Sequence, residues 1–317
     1  MAVYTKVSSD QIKELFKKYN AGNFIKLVEI EEGIENSNYK VITDKDNYIL
    51  TIYEKRVNEK DLPYFINLME HLQQNGINCP KPLSDKFGIK FQNIKKKKSL
   101  IVSFLLGNSI KNINPEHCYE LGKSLANFHV QGLKFNEIRK NDLGHNSWLN
   151  LFDKSINSSK NNDEYNFKRI KNIIINTVNN WPTDLQKGSI HADLFPNNVF
   201  FIEKKISGII DFYFACYDIL AYDLAICINS WCFNESNDFL IKRAQSMITG
   251  YESVRKLSNK EKSCLLILSK GAAIRFYLTR LFDWYNTPSN ANVNKLNPQD
   301  YYEKVLFFDS LESLGIN

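Results

Sequence analysis

Hydrophobic residues recur along this chain at two spacings, and the switch between them divides it. Ile12, Leu15, Phe16 and Tyr19 share one helical face, and Ser8 with Gln11 forms a capping-box pattern, so Ser8–Asn20 is predicted as a helix. Three strand-like runs follow, FIKLVEI, NYKVIT and YILTIYE, separated by the turn-like EEGIENS and DKDN. Leu62–Asn75 returns to the helical repeat, with Pro63 in its first turn and Gly76 at its stop. IKFQNIKKKKSLIVSFLLG then reads as a hairpin turning at Lys95–Lys98, its lysine run a solvated loop.

After Gly107 the pattern changes. Asn114 and Pro115 open a helix that ends near Gly132, with Leu121, Leu125 and Phe128 on its face. INSSKNNDEYN is polar and reads as a loop or linker. From Phe167 onward helical runs dominate, broken by one β-rich block from His191 to Asp211. The expected class is α+β. Residues 1–106 form an antiparallel sheet with helices, a hinge lies near 103–107, and residues 107–317 are mainly helical and carry a hairpin.

Composition narrows the function classes. With 317 residues, 43% hydrophobic and 13% aromatic, the chain is long and apolar enough for a folded core. A net charge of +6 and a pI of 8.8 suit a polyanionic small ligand. No basic stripe interleaved with aromatics accompanies that charge, which argues against nucleic acid as partner. MAVYTKVSSDQ lacks the apolar core of a signal peptide, and no window approaches the ~18 apolar residues of a spanning helix, so a cytoplasmic protein without a membrane partner is expected. Six cysteines include no C-x-x-C, even at the neighbouring Cys227 and Cys232, and read as free thiols in a reducing compartment.

One stretch carries chemistry. GSIHADLFPNNVFF places His191, Asp193 and Asn198 at the spacing H-x-D-x-x-x-x-N. Phosphoryl transfer explains that spacing: an Asp carboxylate accepts the proton of an attacking hydroxyl, and an Asn further along the same tight loop coordinates Mg2+ through its amide oxygen. His191 is assigned as a brace of that loop. VFFI reads as a strand, EKK as a turn and ISGII as a returning strand that brings the chain to Asp211. Since Mg2+ takes one or two carboxylates together with phosphate oxygens, Asn198 and Asp211 are the expected ligands. The competing reading is a core histidine with two surface acids.

The N-terminal part is then expected to hold ATP. In the loop Gly33–Asn38, backbone N–H groups, the Ser37 hydroxyl and Asn38 could cover phosphates, although an ordinary hairpin loop fits as well. The backbone of Ser103, Phe104 and Leu105, where the two parts join, could pair with adenine; a buried strand accounts for the same residues. Protein kinases carry a Lys on the strand after the phosphate loop, and here that position is Thr51. Ile49, Thr51, Tyr53 and Lys55 share one strand face, so Lys55, or Arg56 beside it, could supply the charge, with Glu70 as a candidate partner.

HADLFPNN with GIIDF resembles the aminoglycoside-phosphotransferase-like, or choline-kinase-like, superfamily of small-molecule kinases. EGIENSNY, LTIYEKRVNEKDLPYFINLMEHL, HADLFPNNVFF, IDFYFACYDILAYDLAICINSWCF and RFYLTRLFDWYNTP, spread over nearly the whole chain, together resemble its homoserine kinase branch. The resemblance implies a two-lobed protein-kinase-like fold and ATP- and Mg2+-dependent phosphorylation of the L-homoserine side-chain hydroxyl, a step of threonine biosynthesis. Asn197 departs from the pattern, since such enzymes often carry an acid there. By analogy Asp223 braces the catalytic loop, which leaves Asp218 as the candidate for the substrate ammonium. Arg275 and Arg280, in the apolar run AAIRFYLTRLFDW, are the candidates for its carboxylate, and structural ion pairs explain them equally. Three other readings stay open. A sister kinase for an aminoglycoside, choline or methylthioribose would want an acid-rich acceptor cleft if its substrate were a polycation. A nucleotide-binding regulator without catalysis is favoured only by Thr51. A nucleic-acid-binding protein ranks last.

Overall fold

The computed structural model describes residues 4–30, 36–54, 58–157, 164–287 and 295–316. They divide into two compact units, one comprising the chain up to Gly107 with Ser207–Tyr213, the other Asn108–Ile206 and the chain from Phe214 onward. The division by sequence did not foresee the return of Ser207–Tyr213 to the first unit.

In the first unit α1 (Ser9–Phe16) starts at a reciprocal cap: the Ser8 hydroxyl accepts from the Gln11 N–H and the Gln11 side chain accepts from the Ser8 N–H. It buries Ile12 and Phe16 in a core with Tyr39, Val41, Leu50, Ile52 and Ile101. The described strands β1 (Phe24–Ile30), β2 (Ser37–Thr43), β3 (Asn47–Ile52), β4 (Phe91–Ile94) and β5 (Lys97–Ser103) form an antiparallel sheet in the order β1-β2-β3-β5-β4. α2 (Leu62–Gln74) begins with Pro63 in its first turn, and Gly76, in the left-handed region at φ 81°, follows its end. The β4–β5 turn is shorter than expected. Lys95 and Lys96 alone take left-handed conformations, φ 49° and 66°, and Lys97 already pairs with Ile94. Such two-residue turns match the twist of the strands they join.

Ser207–Tyr213 is held in this unit by backbone and side-chain bonds. The Ile209 N–H donates to the Asn78 carbonyl (3.0 Å), the Ser207 hydroxyl donates to the Leu106 carbonyl (2.7 Å), and the Asn78 amide donates to the Ser207 carbonyl. Gly208 permits the close approach, because a Cβ there would overlap the Leu105 side chain.

The second unit contains α3 (Pro115–Gly132), α4 (Trp148–Asn157), α5 (Glu164–Asn179), β6 (Lys187–Ile190), β7 (Val199–Ile202), β8 (Lys205–Ile209, which runs on into the stretch described above), β9 (Cys216–Ile219), α6 (Leu220–Trp231), α7 (Ile241–Glu252), α8 (Asn259–Asn286) and α9 (Gln299–Asp309). β7 and β8 form the expected hairpin, while β6 and β9 pair antiparallel on either side of it in sequence. The expected β block from His191 to Asp211 is therefore not continuous. His191 lies after β6 in an irregular loop, and β6 and β9 are four-residue strands joined over long range, with no local turn to announce them. α6 is buried at nearly every position, as befits a helix apolar on all sides. Cys79, Cys118, Cys216, Cys227 and Cys232 are buried free thiols and Cys264 is a half-buried one.

α3 and α7 cross at two glycines. A Cβ on Gly122 would overlap the Met247 carbonyl, and one on Gly250 the Tyr119 carbonyl. Mid-helix Gly→Ala alone should stabilise by about 1 kcal/mol. Here the clash decides the sign: Gly250→Ala should lower stability by about 1–3 kcal/mol, the range for overpacking. Urea unfolding of the variant checks this, and a midpoint equal to or above wild type would show that the helices part without penalty.

Candidate active site

The loop between β6 and β7 is fixed atom by atom within the second unit. Ala192 turns through a left-handed conformation, φ 63°, which an L-residue holds only when its surroundings enforce it. The enforcement comes from Asp223, fully buried in the first turn of α6. Its carboxylate accepts the His191 N–H at 2.7 Å and the Ala192 N–H at 2.9 Å. The Asp193 N–H donates to His191 Nδ1 (3.3 Å), and the Phe195 N–H donates to the Asp193 carbonyl (2.8 Å). The carbonyls are held as well: Arg275 donates to that of Ala192, Asn198 Nδ2 to that of Asp193 (2.8 Å), and the Trp231 indole N–H to that of Leu194 (2.9 Å). Phe195 packs edge-on against Phe276 of α8, with ring centroids 4.8 Å apart. Asp193 itself is half-buried, at the turn of a loop that has no slack.

Behind Asp223 stands a buried relay. His129 of α3 places Nε2 3.2 Å from the Asp223 carboxylate and Nδ1 2.7 Å from the Tyr251 hydroxyl, and Arg255 donates to that hydroxyl at 3.1 Å. Burial depresses the His129 pKa against the pull of Asp223, so the imidazole is neutral. One tautomer then satisfies every bond: Arg255 donates to Tyr251, Tyr251 to Nδ1, and Nε2–H to Asp223. Burial pushes the Asp223 carboxyl up, but the His129 hydrogen bond, the nearby imidazoles and the loop N–H outweigh it, and the net pKa lies below the ordinary value.

Asn198 is buried at the end of the 3-10 turn Pro196–Asn198. Its Nδ2 also lies 3.3 Å from the Asp193 carboxylate, which fixes the amide and turns Oδ1 to the other side, with Asn197 Nδ2 3.1 Å away. An amide oxygen so oriented, together with a carboxylate, is a hard-oxygen donor set that suits Mg2+. Among the described residues no three His, Cys, Asp or Glu gather as a metal cage.

Of the other second-unit candidates, Asp218 and Arg280 have partners outside this loop, while Arg275 is bonded to it. Asp218, in β9, accepts from Asn141 Nδ2 at 2.7 Å and from the Ile219 N–H at 2.8 Å. Arg280 donates to Asp300 and to the Asn297 carbonyl, both at 3.1 Å, and covers the Tyr301 ring, so its guanidinium has structural partners. Arg275 is 2% exposed and lies over Phe276 (4.5 Å) and Phe214 (5.5 Å).

In the first unit Asp211 takes a left-handed conformation, φ 69°. Two residues on, Tyr213 packs edge-on against Tyr53 and Phe65. Its hydroxyl lies 3.3 Å from that of Tyr53 and is hydrogen-bonded to Thr51. Burial raises the Tyr213 phenol to about 12, with Asp211 adding to the rise. Thr51 in turn donates to Asn38, its cross-strand partner, at 2.8 Å. Ser37 is a correction. Strand parity turns it inward with Tyr39 and Val41, and its hydroxyl accepts the Tyr4 and Thr5 N–H groups and donates to Glu54. It is a structural anchor and not the phosphate contact expected of it. Glu70 is another, since it pairs with Lys90 at 2.7 Å. The Ser103 N–H donates to the Lys81 carbonyl and the Phe104 N–H to the Asn47 carbonyl, while Lys40 stands 4.1 Å over the Phe104 ring. Gly33, Lys55 and Arg56 lie outside the described residues.

Sequence reasoning missed His129, Tyr251, Trp231 and Tyr213. His129 lies 94 residues from Asp223, and no spacing rule connects the two. A signal existed all the same: a histidine on the apolar face of a predicted helix, in a chain with five histidines, asks for a buried partner.

The APH phosphotransferase enzyme family matches residues 26–257. A homoserine kinase of Xanthobacter autotrophicus is 43% identical over 313 residues, covering 99% of this chain and 98% of that one. One from Methylobacterium radiotolerans is 44% identical over 307 residues, covering 97% and 96%. Among solved structures, an amicoumacin kinase in complex with AMP-PNP, Ca2+ and Ami is similar with a TM-score of 0.73 at 14% identity, over 95% of this chain and 92% of that one. A choline kinase of Cryptosporidium parvum gives 0.70 at 14% identity, over 95% and 94%. At that identity the likeness is one of fold.

Two expectations follow from the relay. Asp223→Asn keeps the volume but offers one acceptor oxygen to two loop N–H groups. It should cost at least about 1.5–3 kcal/mol, the range for one charge-assisted bond, and amide exchange should show faster opening of residues 191–193. Wild-type protection there would remove Asp223 from the role of brace. The pH dependence has a fixed sign. His129 has a folded pKa below its ordinary 6.5, so the unfolded chain protonates first and stability falls as pH drops below about 6.5. Asp223 has a folded pKa below its ordinary 3.8, so its contribution is present above that value and lost as pH falls further through the folded pKa. Denaturant midpoints measured against pH should decline in both windows, and His129→Asn should flatten the first, to which the also depressed His117 and His145 contribute.

Proposed function

The chain belongs to the phosphotransferase enzyme family, among its homoserine kinases, and from that premise we propose that it transfers the γ-phosphoryl group of ATP to the side-chain hydroxyl of L-homoserine. The product is O-phospho-L-homoserine, and the step belongs to threonine biosynthesis. The observation that carries this reading is identity of 42–44% to homoserine kinases over 96–98% of their length. A sister substrate such as choline or an aminoglycoside rests only on likeness of fold at 12–16% identity.

The residues divide the work as follows. Asp193 accepts the proton of the homoserine hydroxyl as that oxygen attacks the γ-phosphorus. Its carboxylate is aimed by the Asn198 amide and by a loop whose N–H and carbonyl groups are engaged. Asn198 Oδ1 and the Asp211 carboxylate are the ligands that would hold Mg2+, which when bound neutralises charge on the phosphates. Thr51 and Asn38, and the backbone of Ser103–Leu105, are the remaining described candidates on the nucleotide side, with Gly33 and Lys55 kept from the sequence alone. Arg275 and Asp218 are the candidates for the substrate's charged groups. Rate acceleration on this scheme comes from positioning and fixed electrostatics rather than covalent chemistry. No helix among the described residues is long and apolar enough to cross a membrane, which suits the cytoplasmic location we assign.

Two experiments test this. ATP consumption across a panel of homoserine, serine, threonine, choline and an aminoglycoside should be highest by at least tenfold in kcat/KM with homoserine; another winner overturns the substrate. Asp193→Asn should lower kcat by about two to four orders of magnitude, the range for a general base, and leave ATP affinity within twofold. Substantial turnover in the folded variant would remove Asp193 as the base.

A further inference from the structure

Among the described residues of the second unit, the buried side-chain polar atoms without a hydrogen-bond partner are the Tyr222 hydroxyl, Asn229 Oδ1, Ser269 Oγ, Arg275 Nε and the Tyr301 hydroxyl. Asn229 and Ser269 adjoin each other, since the Asn229 amide donates to the Ser269 carbonyl, and one water would serve both. Arg275 and Tyr301 are different, because both are tied to the catalytic loop. Arg275 donates to the Ala192 carbonyl through one terminal nitrogen and leaves Nε–H without an acceptor. Tyr301, 2% exposed on α9, packs tilted against Phe276 with ring centroids 5.3 Å apart, and Phe276 meets Phe195 of the loop at 4.8 Å. Arg280 lies 4.5 Å over the Tyr301 ring and the Lys304 ammonium 4.6 Å from it.

Charges of both signs surround these donors: Arg280 is paired with Asp300, and Asp193 lies within electrostatic reach of Tyr301. Burial raises the Tyr301 pKa, the charges of Arg280 and Arg275 oppose the rise, and that of Asp193 adds to it. The phenol stays protonated and can donate. A buried donor that lacks an acceptor is unfavourable unless a ligand supplies one. Both orphans are donors, so the ligand group must supply acceptors, which a carboxylate does and an ammonium does not.

We propose that Tyr301 is a substrate-recognition residue, and that its hydroxyl and Arg275 Nε are the donors that receive the carboxylate of the acceptor amino acid beside Asp193. The proposal rests on the homoserine reading above and adds to it the residue that makes an amino acid, rather than an amino alcohol, the preferred acceptor. A carboxylate has two oxygens and takes one donor on each, so the two orphans match one ligand group.

Tyr301→Phe tests it, because the phenyl ring keeps the packing and removes only the hydroxyl. Steady-state kinetics should show the homoserine KM raised ten- to a hundredfold, the size expected for a charge-assisted bond, with the ATP KM within twofold. Turnover of 3-aminopropanol, which is homoserine without its carboxylate, should be equal in the variant and wild type. Ligand-free Tm should be unchanged or higher, since an unpartnered buried hydroxyl has been removed. The rise in Tm that homoserine gives wild type should shrink in the variant. An unchanged homoserine KM, an equal loss with 3-aminopropanol, or a ligand-free Tm lower by several degrees would each overturn the role, the last by making the hydroxyl structural. Wild-type enzyme that does not turn over homoserine would instead sink the assigned reaction and this seat with it, a failure seen before any variant is made.

Discussion

One buried carboxylate sets the geometry on which the second unit depends. Asp223 has no solvent to share its charge with, so its oxygens must find donors inside the protein. They find two successive loop N–H groups and a neutral imidazole. Two successive N–H groups can converge on one carboxylate only if the chain turns sharply, and Ala192 makes that turn in the left-handed region. The hydrogen bonds between the loop and Asp223 thus offset both the strain of that conformation and the desolvation of the carboxylate. Asp193, the next residue, is held in the same arrangement through its N–H, its carbonyl and its carboxylate.

The same logic explains why the helices around the loop are placed as they are. α3 supplies His129, α7 supplies Tyr251, and α8 supplies Arg275 and Phe276. α3 and α7 approach closely enough to share this relay because Gly122 and Gly250 lie at their crossing. A phosphoryl-transfer site asks the protein for little covalent chemistry and much positioning. Here the positioning is distributed over α3, α6, α7 and α8, so the glycines at the α3–α7 crossing bear on the same loop that holds Asp193.

What the sequence made legible was local. The Ser8 cap, the alternating strands, the Pro63 and Pro115 helix starts, and the spacing of His191, Asp193 and Asn198 each depend on residues within a few positions of one another. What it hid was long-range or depended on parity. Ser37 stands in a stretch that reads as a loop, and the register of β2 alone decides that its hydroxyl faces inward. β6 and β9 are too short to show a period, and they pair only because the hairpin between them returns the chain. Arg275 looked like a substrate ligand or an ion pair. It is bonded to the loop through one nitrogen and open at another, a divided role that no spacing could express.

The first unit answers the question raised by Thr51 in a similar way. A strand lysine would need an anion or a buried partner, and threonine at that position needs neither. Its hydroxyl donates to Asn38 across the sheet and is bonded to Tyr213, two residues beyond Asp211. The strand is thereby tied by neutral hydrogen bonds to the turn that carries Asp211, and the tie is backed by the Tyr53 and Phe65 rings. A neutral tie is insensitive to salt and to the charge of a bound nucleotide, whereas an ion pair would weaken with the one and rearrange with the other. Thr51 is therefore a buried hydroxyl fixed within the sheet rather than a mobile charge. The left-handed turn at Asp211 is the feature that such a fixed support would serve.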